Sequence, residues 1–88
     1  MLPQLITTAG ERKPFDKPLT LESMQQAVGG YIQVIETPYH AFIMDEEGKL
    51  RGKAVNRIAT NLASMYLRGH DFLVGDVLVM DIDTWRAL

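Results

Sequence analysis

The sequence predicts an α+β domain: a mainly antiparallel sheet with two helices packed on it, in the order ββ-α-βββ-α-β. Two observations carry this expectation. The β-forming runs cluster beside one another instead of alternating regularly with helices, which separates this class from the parallel α/β folds. Two segments carry apolar residues at helical spacing, and each ends at glycine.

Leu2 to Phe15 reads as a hairpin within an N-terminal section, 1–17, punctuated by Ala9-Gly10. Pro3 and Pro14 remove backbone donors, which places it at an edge of the sheet. A helix follows from Thr20 to Val28. Thr20 serves as N-cap, Glu22 suits the positive end of the helix dipole, and Leu19 with Met24 has the spacing of a hydrophobic staple. Leu21, Met24 and Val28 share its inner face, and Gly29-Gly30 stops it.

Tyr31 to Glu36 places apolar groups on both faces, as expected for a strand covered on both sides or central in the sheet. Ala41 to Asp45 is the next strand, with Phe42 and Met44 on one face and Ile43 on the other. Asp45-Glu46-Glu47-Gly48 then turns tightly into a short returning strand, Lys49 to Gly52. The longer helix spans Ala54 to Leu67, with Val55, Ile58, Ala59, Leu62, Met65 and Tyr66 on one apolar stripe. Val55, Ile58 and Leu62 are expected to turn inward, leaving Arg57, Asn61 and Ser64 to water. The last strand, Phe72 to Ile82, is interrupted at Gly75-Asp76, and the tail, 83–88, forms one helical turn capped by Asp83.

With 88 residues, the chain holds a single domain, 1–88, with a thin core. At 47% hydrophobic it is too apolar for a disordered tail. Absence of cysteine removes disulfide scaffolds, thiolate metal sites and a cysteine nucleophile. No run approaches the ~20 apolar residues of a membrane span, and the start Met-Leu-Pro-Gln lacks a signal-peptide pattern. The expected setting is therefore the cytoplasm, without membrane contact. A net charge of -2 argues against an all-over basic nucleic-acid binder.

The stretch from Leu21 to Ile32, ending Val28-Gly29-Gly30-Tyr31-Ile32, leads to Glu46-Glu47-Gly48-Lys49-Leu50, then Asn56 with Ala59-Thr60, then Val74-Gly75-Asp76. This succession resembles a small uncharacterised domain family common in phages, prophages and plasmids, over roughly 19–79. Ala54-Val55 stands where that family has leucine-proline, and Gln33 where it has glutamate. The resemblance implies a mobile-element setting and carries no activity.

Among the chemistry-bearing residues, Asp45, Glu46 and Glu47 read as a solvated turn, without the ligand spacing of a calcium loop. Lys49, Arg51, Lys53, Arg57 and Arg68 form a strip without an intervening acid, suited to phosphate or an acidic partner, or simply to water. Asn56 with Arg57 begins the long helix, where free amides favour an anion, although asparagine is also a common cap. His40 and His70 share no metal-ligand spacing, and neither Ser23 nor Ser64 has a histidine near it in sequence. Trp85 and Leu88 are expected to dock on their own domain or on a second copy, which favours a homodimer.

The expectation is a non-enzymatic interaction module that binds a host or phage protein, with no cofactor and no metal. Its contact surface joins Lys49, Arg51 and Lys53 to Arg57, Asn61 and Ser64. The alternative is a module that sequesters a small anionic ligand such as a nucleotide, through Asn56, Arg57 and the helix amides.

Overall fold

The computed structural model describes residues 2–69 and 71–88. Strands β1 (Gln4–Ile6), β2 (Arg12–Pro14), β3 (Ile32–Glu36), β4 (His40–Asp45) and β5 (Val77–Asp81) form one antiparallel sheet, in the spatial order β2-β1-β5-β4-β3. Helices α1 (Leu21–Val28), α2 (Arg57–Ala63) and α3 (Ile82–Arg86) complete the chain, with a single 3-10 turn, Ser64–Tyr66, closing α2. The α+β expectation holds, with one strand fewer and one short helix more.

Period-2 alternation in the central strands divides the interior into two half-cores. Ala41, Ile43, Leu78 and Met80 face Met24 and Val28 of α1 and Ile82 of α3. Phe42, Met44, Val77 and Val79 face Ala59 and Ala63 of α2, with Ile6 and Leu73. The helices therefore lie on opposite faces of the sheet.

The first helix forms as its signals require. Thr20 Oγ1 accepts from the Ser23 amide at 3.0 Å, and Ser23 Oγ accepts from the Thr20 amide at 3.0 Å, so the cap is reciprocal. Gly29 closes it in the left-handed conformation at φ 79°. Leu21, however, is exposed, and only Met24 and Val28 are fully buried.

Four expectations are corrected. Lys49 to Gly52 is not a strand: Arg51, Gly52 and Lys53 donate their amides to Glu47, Lys49 and Gly48 carbonyls, so tight local turns use the backbone that a strand would need. Of the two alternatives for β3, the central position is wrong, since it is an edge strand, while its apolar groups do pack on both faces, Ile32 and Val34 on one and Ile35 on the other. The long helix is shorter than its apolar stripe. Val55 precedes it in an isolated bridge to Val74, and both Val55 and Leu62 are exposed while Ala59 and Ala63 face the core. The tail helix begins at Ile82 after Asp81, whose side chain makes no capping bond, and Asp83 lies in its first turn.

Candidate functional site

The residues from Asp45 to Asn56 assemble into a polar frame that joins the sheet to α1 and α2. Asp45 ends β4 on the α1 side, with only 1% of its side chain exposed. Its Oδ1 accepts from the Glu47 amide at 2.9 Å. Its Oδ2 lies 2.8 Å from Lys53 Nζ and 3.8 Å from Arg51 Nε. Both are ionic contacts: Arg51 stands beyond hydrogen-bond distance, and the Lys53 contact is not an aligned hydrogen bond. Burial is the largest influence on Asp45 and pushes its pKa up. The Lys53 ammonium, the Glu47 amide and the Arg51 guanidinium together outweigh it and hold the carboxyl below its ordinary range.

The same two cations close the C-terminal end of α1. Lys53 Nζ donates to Val28 O at 2.7 Å, and Arg51 Nη1 donates to Gly29 O at 3.1 Å. Both carbonyls belong to the end of a helix where partial negative charge collects. Arg51 also reaches Glu47 at 3.4 Å. A shallow cleft of about 380 Å³ opens beside Lys53, between Gly29 and the Gly75-Asp76 corner.

The two glycines after α1 serve different purposes. Gly29 supplies positive φ, whereas Gly30 leaves room for the carboxylate: a Cβ there would stand 2.6 Å from Asp45 Oδ1. Gly30→Ala is expected to cost about 1–3 kcal/mol, measured by urea denaturation, because neither the buried carboxylate nor the β3 backbone can retreat without breaking a contact.

Asn56 is the other half of the frame and is wholly buried. Its Oδ1 accepts from the Ala59 amide at 3.1 Å, which makes it the N-cap of α2. Its Nδ2 donates to Ile6 O at 2.8 Å and to Gly75 O at 2.9 Å. The Asn56 amide also donates to Leu73 O, and Gly75 N donates to Ala54 O. One side chain thus ties the end of β1, the entry to β5 and the start of α2. Both of its amide hydrogens are committed, and none remains for an anion.

The domain of unknown function DUF3846 matches residues 4–86. The chain belongs to the DUF3846 family. No curated protein and no solved structure matches it.

In this DUF3846 chain the basic strip does not form one surface. Lys49 pairs with Asp71 and sits 4.6 Å from the Phe72 ring centre, a cation–π contact. The Lys49 ammonium and the Phe72 amide hold Asp71 below the ordinary carboxylate range. Arg51 and Lys53 serve the frame. Arg57 is exposed on α2, as are Asn61 and, just beyond the helix, Ser64, whose hydroxyl donates to Asn61 O at 2.9 Å. Among the described residues no ion pair engages Arg57 or Arg68.

Sequence reasoning passed over Leu62, Met65 and Tyr66 as core residues, and all three are exposed. A groove of about 270 Å³ runs beside Leu62, lined also by Leu2, His40, Phe42 and Val79. Trp85 is half-buried against the α1-side half-core of its own domain, while Leu88 is exposed. His40 stands edge-on to Phe42 with ring centres 6.3 Å apart, and His70 lies outside the described residues. Among the described residues no group of three or more His, Asp or Glu is placed to hold a metal ion, and no helix is long and apolar enough to cross a membrane.

Proposed function

We propose that this chain is a non-enzymatic interaction module of a phage or other mobile genetic element, acting in the host cytoplasm. It binds a host or phage protein through the outer side of α2 and the 3-10 turn that follows. The observation that supports this reading is the run from Asn61 to Tyr66, in which only Ala63 is buried. Leu62, Met65 and Tyr66 are exposed, as is Arg57 at the start of the helix, and Met65 is 86% exposed. In a domain with so small a core, apolar side chains left in water mark a contact surface. An exposed methionine adapts its shape readily to a partner, and an exposed arginine on the same helix supplies directional hydrogen bonds to a partner's carboxylates.

Arg51 and Lys53, expected in that surface, are excluded from the proposal because they hold the frame together. The test is a pull-down of the tagged chain from its host, with bound proteins identified by mass spectrometry. Arg57→Glu combined with Met65→Asp is expected to weaken capture at least tenfold while leaving the thermal midpoint within a few degrees of the parent. Retention of every partner by the double variant would overturn this surface. A specific thermal shift of several degrees with a nucleotide would instead support the small-anion reading.

A further inference from the structure

The two edges of the sheet are unlike. β2 is guarded in the usual ways, by Arg12, Lys13 and Pro14, all exposed. β3 carries no lysine, no proline and no bulge along Ile32-Gln33-Val34-Ile35-Glu36, and its register with β4 is unbroken. Such an edge is a template for another strand.

The direction of its backbone groups follows from its ends. Glu46 N donates to Tyr31 O, and Thr37 N donates to His40 O. In an antiparallel ladder, bonded and non-bonded pairs alternate, so Tyr31, Gln33, Ile35 and Thr37 point their N–H and C=O groups toward β4. Ile32, Val34 and Glu36 therefore point theirs away from the sheet. Among the described residues none of these outward groups has a hydrogen-bond partner outside its own strand pair.

We propose that β3 is the self-association edge of this chain, pairing antiparallel with β3 of a second copy about a twofold axis at Val34. In that register Val34 meets the partner's Val34, Ile32 meets the partner's Glu36, and Gln33 meets the partner's Ile35. Each outward N–H then finds a carbonyl across the axis. The occupant is a second copy because the strand is complementary to itself. Its one charged residue, Glu36, lies at one end and so falls opposite an isoleucine, leaving the two carboxylates at opposite ends of the pairing. Ile32 and Val34, half-buried against the α1-side half-core, lose their remaining contact with water. A twofold axis perpendicular to the sheet keeps α1 and α3 of both copies on one face and leaves α2 of each open. The proposal is independent of the α2 surface, and it moves self-association away from Trp85.

The test is carried out on the intact chain by sedimentation and amide hydrogen exchange, from about 10 µM to about 1 mM, since a dimer gains with concentration by mass action. The mass is expected to rise from 9.9 kDa toward twice that value. The Ile32, Val34 and Glu36 amides are expected to become protected over the same range, while Gln33 and Ile35 are protected throughout. A filtered NOE between Gln33 Hα and Ile35 Hα of the other copy fixes the register. Val34→Pro removes an outward donor that β4 does not use and is expected to keep the mass at 9.9 kDa. Should that variant fail to fold, exchange in the parent chain decides alone. A chain that stays monomeric at about 1 mM overturns the proposal, as does a dimer whose Val34 amide exchanges freely.

Discussion

Replacing Asn56 by alanine is expected to lower the free energy of unfolding by about 2–4 kcal/mol, far more than any substitution of its exposed neighbour Arg57. The loss combines the N-cap of α2, about 1 kcal/mol, with two buried carbonyls, Ile6 O and Gly75 O, deprived of their donor. For a domain of this size the melting temperature should fall by roughly 10–30 °C, read by circular dichroism. Asn56→Asp keeps the capping oxygen but sets a carboxylate against two carbonyl oxygens, so it is expected to be no milder. Arg57→Ala should stay within about 0.5 kcal/mol of the parent. A cost under about 1 kcal/mol for Asn56→Ala would mean that the three bonds do not hold the segments together.

Lys53→Met should change both the stability of the domain and the sign of its pH dependence. In the parent, Asp45 is held below its ordinary pKa in the folded state. Its contribution is therefore complete above the unfolded-state value, about pH 4, and is lost as the pH falls through the folded value. Without Lys53 the main opposition to burial is gone, and Arg51 at 3.8 Å remains as a half-exposed partner. Burial then raises the folded pKa above the unfolded one, so stability falls as the pH rises from about 4 toward 7. Near pH 7 the expected loss is about 2–4 kcal/mol, less than for a fully buried pair because 26% of the Lys53 side chain is exposed. Urea denaturation across that range checks it. Parallel curves for parent and variant would contradict the role given to Lys53.

Local chemistry was readable where a single residue type had a single use. Thr20 capping α1, Gly29 ending it, and Pro14 marking an edge all followed from backbone requirements. The inward face of α2 did not. Counting large apolar side chains singles out Val55, Ile58 and Leu62, yet of these only Ile58 packs against the core, beside Ala59 of the expected stripe and Ala63, while Val55 and Leu62 are exposed. Phe42, Met44 and Val79 already fill the space between helix and sheet, and only small residues permit that approach. β3 looked central because Ile32, Val34 and Ile35 supply apolar groups to both faces, and only the topology shows that its outer side is open.

The candidate site was legible as a list of residues but not as an arrangement. Asp45 looked like a solvated turn because nothing in Asp45-Glu46-Glu47-Gly48 distinguishes its first acid from the next two. Lys53, eight residues on, is what makes it internal. Several of the residues that carry the family resemblance are parts of the frame, whereas Leu21, Tyr31 and Leu50 are exposed. Gly29 ends α1 beside Lys53 and Gly30 lies against Asp45, while Gly48 packs where a Cβ would stand 2.7 Å from Val74. Asn56 and Thr60 bond to the segment entering β5, and Asp76 accepts from the Thr8 amide at 3.2 Å. These positions describe how the domain is built.

The decisive measurement is the exchange rate and chemical shift of the Asn56 side-chain amide, followed by NMR in the free protein and during titration with ATP. If Asn56 is a structural tie, its two amide protons exchange far more slowly than those of the exposed Asn61, and neither moves as nucleotide is added. Fast exchange, or a shift that saturates with ATP, would make Asn56 part of a ligand site and contradict the account.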